Sequence, residues 1–418
     1  MTSEILIMNK KGIAIAADSA TTLNALGQSK IFNDNKIFSL SKYQPVGIMI
    51  YNNTCISGVP AEVLIKDYRK QLGKKSFKTL KEYGDDFIEY LENIISEPGC
   101  QISETLQNVT TLQLVLEVCT HSIDLIYAQI DKADKKISPD EFYSLLSVAG
   151  EDVRTTYNIC DRDRDDCVRS LEKLMTENIK EELKLLLKER NIPFRIKEFM
   201  QYVALLILAD EVILTFNTGI VIMGYGEDEY LPAYVYYETN GHVFGKLKYR
   251  LREHYQLDPE SPHIIMPFAQ SDVVSGYMEG MYPDMLKISV ELLKKALTSA
   301  LRNTNEYKHG SNEKLTIIVE DHAAQYLEMM KYLGSAKYVS PTLLVLSQSP
   351  VLELAQMAES LVKLTSMKRR ISLDVETVGG PVDVATITKG DGLVWLQRKH
   401  YFNLELNPTY VEKYYREE

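Results

Sequence analysis

Two short apolar runs, Glu4-Ile5-Leu6-Ile7-Met8 and Ile13-Ala14-Ile15-Ala16-Ala17, flank Asn9-Lys10-Lys11-Gly12, and this order predicts an N-terminal β-hairpin. Strand-like runs follow at Lys36–Leu40 and Val46–Tyr51, separated by a polar segment with Pro45, so four strands are expected by about residue 51. From Pro60 to about Thr215 the apolar positions recur every three or four residues, as in Ala61-Val63-Leu64-Tyr68 and Leu171-Leu174-Met175-Ile179, which predicts helices. Breaks at Glu97-Pro98-Gly99, Ser138-Pro139 and Asn191-Ile192-Pro193 divide this stretch into about five of them. Strand texture returns at Gly219–Gly224, Tyr234–Glu238 and Val243–Lys248, with Thr239-Asn240-Gly241 expected to turn between the last two. Helices are expected near 272–283, 285–302, 313–333 and 341–366, then strands at Val382–Thr388 and Leu393–Arg398 around Lys389-Gly390-Asp391-Gly392. The order predicts an α+β fold, a four-layer αββα sandwich of two antiparallel sheets with a helical insertion. The expected division is an N-terminal part over 1–75, the insertion over 76–215 and a C-terminal part with additional helices over 216–418.

Composition narrows the partners. A formal net charge of -11 with no long Lys/Arg cluster argues against nucleic acid, whose backbone is held by basic patches. Cys55, Cys100, Cys119, Cys160 and Cys167 are odd in number and lack CxxC spacing, which suits free thiols in the reducing cytoplasm. The apolar run Tyr202–Leu208 stops at Asp210 and Glu211, too short to cross a bilayer, and the N-terminus lacks a basic-then-apolar signal pattern, so no membrane partner is expected.

Thr2 carries the first candidate chemistry. A small residue after Met1 permits removal of the methionine, leaving an α-amine beside a hydroxyl on one residue. An α-amine with an ordinary pKa near ~8 is partly neutral at pH 7 and can take the hydroxyl proton, a recognised way of activating threonine. Many ordinary chains also begin Met-Thr, so Thr2 alone says little. The segment from Thr2 through Gly12 and Ala17-Asp18-Ser19 to Thr22, however, resembles without a gap the mature start of proteasome β subunits, and Gly379-Gly380-Pro381-Val382-Asp383-Val384 resembles that family's final strand. By this resemblance the chain is identified as a divergent bacterial-type member of the proteasome β-subunit-like N-terminal-nucleophile (Ntn) hydrolases.

The resemblance implies roles. Thr2 matches the nucleophile, Asp18 the acid that positions a catalytic lysine, and Thr22 the residue whose backbone holds substrate. Lys36, ahead of Ile37-Phe38, matches the lysine; Lys30-Ile31-Phe32 has the same local pattern, but only Lys36 leads into Ser39-Leu40 as that strand does. A lysine there lowers the basicity of the Thr2 amine by like-charge repulsion and keeps it neutral. Asn52 N–H, after Val46–Tyr51, matches an oxyanion donor where the family usually has glycine. The chain departs from the pattern at Ala269, Val375 and Val378, where supporting Ser and Asp residues stand in the family; Ser271 and Asp374 lie near enough in sequence to substitute. Read as single residues, Asp18 could equally cap a turn and Lys36 could be a solvated edge charge.

Other signals are weaker. Asp161, Asp163, Asp165 and Glu172 fall on positions of a calcium-loop template, but Asp166 replaces its glycine and Arg162 and Arg164 would repel the ion, so a charged helix start is expected. The seven histidines lack metal-ligand spacing, and Gly224-Tyr225-Gly226 reads as a turn. The expectation is a threonine-type hydrolase of peptide or other amide bonds, with Thr2, Asp18, Lys36 and Asn52 catalytic, Thr22 and Ser271 contacting substrate, and no metal or organic cofactor. The resemblance also implies a homo-oligomer. The alternative is a non-catalytic scaffold or binding subunit.

Overall fold

The computed structural model describes residues 3–25, 28–94, 108, 110–118, 120, 138–175, 177–188, 195–209, 217–260, 263–303, 312–372, 379–400, 402–409 and 412. Thr2, Cys100, Cys119, Asp374, Val375 and Val378 lie outside them, as do the side chains of Thr22 and Lys30. The strands are β1 (Ser3–Asn9), β2 (Gly12–Ala17), β3 (Ala20–Ala25), β4 (Gln28–Asn33), β5 (Ile37–Ser39), β6 (Val46–Asn52), β7 (Cys55–Ile56), β8 (Val59–Pro60), β9 (Thr218–Gly224), β10 (Ala233–Val243), β11 (Lys246–Gln256), β12 (His263–Ala269), β13 (Asp383–Thr388) and β14 (Gly392–Gln397). Two five-stranded antiparallel sheets result, ordered β12-β1-β2-β13-β14 and β11-β10-β9-β6-β5. The helices are α1 (Ala61–Leu72), α2 (Leu80–Asn93), α3 (Pro139–Thr156), α4 (Asp161–Leu174), α5 (Glu177–Lys188), α6 (Ile196–Leu208), α7 (Asp272–Glu279), α8 (Pro283–Arg302), α9 (Asn312–Gly334), α10 (Ser340–Gln348) and α11 (Val351–Ile371).

Every residue of β1 and β2 is buried, which explains why these runs are apolar at both parities instead of alternating. Leu6, Met8, Ile13 and Ile15 face the other sheet and pack with Met49, Val221, Met223 and Phe268. Ile5, Ile7, Ala14 and Ala16 meet Leu354, Ala355, Ala358 and Leu361 of α11. On the far side, Leu64, Ile65 and Tyr68 of α1 and Tyr83, Phe87 and Leu91 of α2 cover Ile48, Ile50, Ile220, Ile222 and Val235. Thr79 and Glu82 form a reciprocal capping box that starts α2. Helices α3, α4 and α6 close a separate core of Phe142, Leu146, Leu171, Phe199 and Val203. Buried Lys248 of β11 ties that core to the sheet: its Nζ donates to the carbonyls of Leu206, Ile207 and Ala209 at 2.9, 3.1 and 2.6 Å, where the end of a helix leaves acceptors unpaired. Among the described residues no helix is long and apolar enough to cross a membrane.

Several element expectations are corrected. Thr239-Asn240-Gly241 does not turn the chain; β10 runs on to Val243 and the turn falls at Phe244 and Gly245, both at positive φ. The register slips between Thr239 and Gly241, and a Cβ on Gly241 would lie 2.7 Å from Ser57 Oγ, so the glycine serves a bulge and a close approach. The helix expected over 341–366 is two, α10 and α11, divided at Ser349-Pro350. The Asp161 segment is a charged helix start, as expected: it is the first turn of α4, with Arg164 held by Asp161 and Asp165 at 2.9 and 2.8 Å.

The bulge at Gly241 carries a pH-sensitive contact. His242 is fully buried; its Nδ1 lies 2.7 Å from Ser57 Oγ and its Nε2 2.9 Å from the Leu91 carbonyl. Burial lowers its basicity, only partly offset by the Leu91 bond, so the folded chain keeps the ring neutral. The unfolded ring gains a proton below its ordinary value of 6.5, so stability is full above that pH and falls as pH drops through it. Urea unfolding at stepped pH is expected to show this fall, and His242→Gln to lessen it.

Candidate functional site

Asp18 ends β2 and is the junction of four chain segments. Its Oδ1 accepts from Ser3 N at 3.0 Å and from Lys36 Nζ at 2.6 Å; its Oδ2 accepts from Gly379 N at 2.9 Å and Ala20 N at 3.3 Å. The Gly379 carbonyl in turn accepts from Ser19 N and Ala20 N at 3.2 and 3.1 Å, and Ser19 Oγ donates to the Pro381 carbonyl. One carboxylate thus joins the start of the first sheet to a backbone segment 361 residues away in sequence. Four N–H donors therefore converge on this one buried carboxylate.

Lys36 stands at the entry to β5 and is 2% exposed. Besides Asp18, its Nζ donates to the Ala20 carbonyl at 2.9 Å and lies 3.7 Å from Glu4 Oε1. The Lys36 carbonyl accepts from Ile50 N at 2.9 Å, so the second sheet fixes the backbone that carries the lysine. Glu4 belongs to β1 and is fully buried; with Asp18 and Lys36 it forms a charged cluster inside the molecule. The sequence reading assigned Glu4 no role. Its signal was a lone carboxylate within an apolar run buried on both faces, where an ionisable side chain needs a partner.

A second polar chain lies behind Glu4. Tyr51 of β6 donates to Tyr236 Oη, which donates to Glu238 Oε1 at 2.7 Å; Arg250 and Arg252 bind the other oxygen of Glu238 at 3.2 and 2.6 Å. Burial, the neighbouring Tyr236, and the charges of Glu238 and Glu4 push the Tyr51 phenol up, so it stays neutral. Burial opposes ionisation of Glu238, but the bonds from Tyr236 and the two arginines outweigh it and hold the carboxyl below its usual range.

The remaining expected residues make no hydrogen bond to the cluster among the described residues. Asn52 ends β6 at φ 63, a left-handed conformation that asparagine tolerates and glycine favours, and its Nδ2 donates to Asn217 Oδ1 at 3.2 Å. Ser271 is exposed at the start of α7 and makes no side-chain cap bond. Ala269, opposite Ser3 in the β1–β12 register, has φ 62. Thr22 lies in β3 opposite Ile31. Among the described residues no hydrogen bond joins Asn52 or Ser271 to Asp18 or Lys36, and no group of three or more His, Cys, Asp or Glu could hold a metal ion. An open cleft elsewhere, lined by Tyr157, Cys167, Ser170, Phe244 and Lys246, includes none of the cluster.

No protein-family model matches the sequence, and no curated protein matches it. Solved structures do align. The Anbu complex from Pseudomonas aeruginosa, described as a helical assembly, aligns at 8% identity over 98% of this chain and 93% of its own, with a TM-score of 0.33. Anbu (ancestral beta-subunit) from Yersinia bercovieri aligns at 10% identity over 98% and 94%, with a TM-score of 0.27. An Anbu Gly-1 mutant from Hyphomicrobium sp. strain MC1 aligns at 9% identity over 99% and 94%, with a TM-score of 0.30. These neighbours correct the family named from the sequence: they are Anbu proteins, not divergent bacterial-type members of the proteasome β-subunit-like Ntn hydrolases. The motifs at 2–22 and 379–384 are short, and short motifs constrain local strand and turn geometry more than family. Likeness at this level assigns the chain no activity and no family.

Proposed function

We propose that this chain is a threonine-type hydrolase of peptide or other amide bonds, acting through Thr2 once the chain is trimmed to that residue. The observation that carries the reading is the buried Asp18–Lys36 pair bonded to Ser3 N, the nitrogen through which Ser3 is joined to Thr2. The two sheets and their flanking helices are taken as a four-layer αββα sandwich, with the α3–α6 unit as an insertion. In the proposed reaction the Thr2 amine takes the proton of the Thr2 hydroxyl as Oγ attacks the amide carbon. The tetrahedral oxyanion collapses, the C–N bond breaks, and the leaving amine takes that proton. Water, deprotonated by the same amine, then cleaves the ester and returns Oγ–H. Lys36 keeps the amine neutral by like-charge repulsion, Asp18 anchors Lys36, Asn52 N–H donates to the oxyanion, and Thr22 and Ser271 contact substrate. The site is proposed to work in the cytoplasm, without metal or organic cofactor, in a homo-oligomer. Support for assembly is α8, a 20-residue helix with no buried residue that exposes Met285, Ile288 and Leu292.

A non-catalytic scaffold is the second reading, favoured by Ala269 and Val378 standing where the family carries supporting Ser and Asp residues. Turnover of a mixed peptide library, followed by mass spectrometry of wild type and Thr2→Ala, separates the two. Cleavage by wild type that Thr2→Ala loses supports the hydrolase. Cleavage retained in Thr2→Ala, or a purified chain still extended beyond Thr2, overturns it.

A further inference from the structure

We propose that α8 is the seat of a symmetric contact between two copies of this chain, in which the helix packs antiparallel on its counterpart about Leu292. The inference rests on the homo-oligomer reading above and deepens it by naming the surface and its symmetry; it does not depend on the hydrolase. Helix α8 has 20 residues, none of them buried, and so runs for about 30 Å. Leu286, Val290, Leu293, Leu297 and Leu301 recur at spacings of three and four on one side, which the rest of the chain covers in part. A second apolar row, Met285, Ile288, Leu292 and Ala296, follows the same spacing on another side. Its three large members are 55, 51 and 60% exposed. A helix that met only water on that side would carry polar residues there, so the row calls for a partner.

The row complements itself when the copy runs the other way. A two-fold axis at Leu292 sets that residue against its counterpart, Ile288 against Ala296 and Met285 against Ser299, so each large side chain off the axis meets a small one. The charges agree with this direction. Asp284, Glu291, Lys295 and Arg302 lie along one flank of the row, acids in the first half and bases in the second, with Lys287 further round the helix. Reversal brings Asp284 within two residues of the level of Arg302, and Glu291 within two of Lys295, about 3 Å of rise in each case. A copy running in the same direction would set each charge level with its own like. Glu291 is free to turn outward, being 65% exposed with Lys294 at 3.7 Å, while that lysine is closer to Glu320 at 2.9 Å. Exposed pairs of this kind choose orientation more than they add affinity. A face about 30 Å long and about 10 Å wide gives roughly 300 Å² a side, below the ~800 Å² of a standard interface, so the contact on its own is weak and concentration-dependent.

The test uses the full-length chain. Light scattering of wild type from about 1 to about 100 μM is expected to show mass rising with concentration, and Leu292→Glu, which sets two like charges face to face on the axis, to weaken that association at least about tenfold. Leu292 is exposed in the single copy, so this variant is expected to keep the wild-type unfolding midpoint. Direction is read by disulfide trapping. Met285→Cys/Ser299→Cys is expected to give a 285–299 cross-linked peptide in mass spectrometry, and Met285→Cys alone to give no 285–285 link. Residues 285 and 299 of one helix stand about 21 Å apart, so the 285–299 link can form only between copies. A 285–285 link without a 285–299 link overturns the antiparallel contact. Association of Leu292→Glu equal to wild type, with no 285–299 link, overturns this inference and leaves the homo-oligomer reading standing on another surface. A wild type with the mass of a single chain at every concentration, and no link, overturns both.

Discussion

Lys36→Met is expected to lower the free energy of unfolding by about 3–5 kcal/mol and to abolish any Thr2-dependent adduct. The thioether fills the space of the lysine stem, so the loss does not come from a cavity. It comes from Asp18, which would lose its 2.6 Å ammonium partner while 1% exposed, and from Glu4 at 0% exposure. Two carboxylates would remain buried without that ammonium, and water cannot reach them to compensate. Asp18→Asn is expected to be costly for another reason: one of its two amide positions becomes a donor, yet both Asp18 oxygens now accept from N–H groups. The Asp18→Asn/Lys36→Met double variant is expected to lose less than the sum of the single losses, because it removes both members of one pair. Strict additivity in urea unfolding would mean that the pair is not coupled.

Gly219→Ala is expected to destabilise by about 1–3 kcal/mol or more and to slow any Thr2 chemistry. A Cβ on Gly219 would lie 2.1 Å from Tyr51 Cε1 and 2.2 Å from its Cζ, because the two residues face each other across β6 and β9. The Tyr51 ring has little room to give way, being packed on Phe268 and Tyr236, with centroids 5.8 Å away in each case, and bonded to Tyr236 Oη. The strain therefore passes to the end of β6, where Asn52 follows Tyr51. Tyr51→Leu in the Gly219→Ala background is expected to recover part of the lost stability by freeing that space. Equal losses in the single and double variants would place the damage elsewhere.

The Asp18–Lys36 contact was implied only by the resemblance carried by residues 2–22; read singly, Asp18 could equally have capped a turn and Lys36 been a solvated edge charge. Glu4 was harder to read. A carboxylate near a chain start looks like a solvated edge residue until tertiary packing covers both faces of its strand. The Tyr51–Tyr236 bond joins residues 185 apart, and local periodicity carries no information at that separation. Strand β12 was missed because Pro267 argues against a strand interior; it survives at the edge of its sheet, where a missing N–H donor is tolerated. The β3–β4 ribbon was missed because its sequences, ATTLNA and QSKIFN, lack the alternation of apolar and polar residues that marks a strand. Helix periodicity exposed the helical texture from 60 to 215, but not what each face meets: α2 packs on the second sheet, whereas α3, α4 and α6 pack on one another. The placement of Thr239-Asn240-Gly241 in a bulge shows that turn-forming residues also serve wherever one strand must slip past another.

The central claim is that one residue, Thr2, supplies both nucleophile and base above the Asp18–Lys36 pair. An α′,β′-epoxyketone tests it most directly, because closing a six-membered ring requires the hydroxyl and the α-amine of a single residue. The account predicts that the wild-type tryptic peptide spanning residues 2–10 gains the full mass of the probe, and that Thr2→Ala and Lys36→Met gain none. A wild-type peptide of unchanged mass, or equal modification in Thr2→Ala, would contradict it.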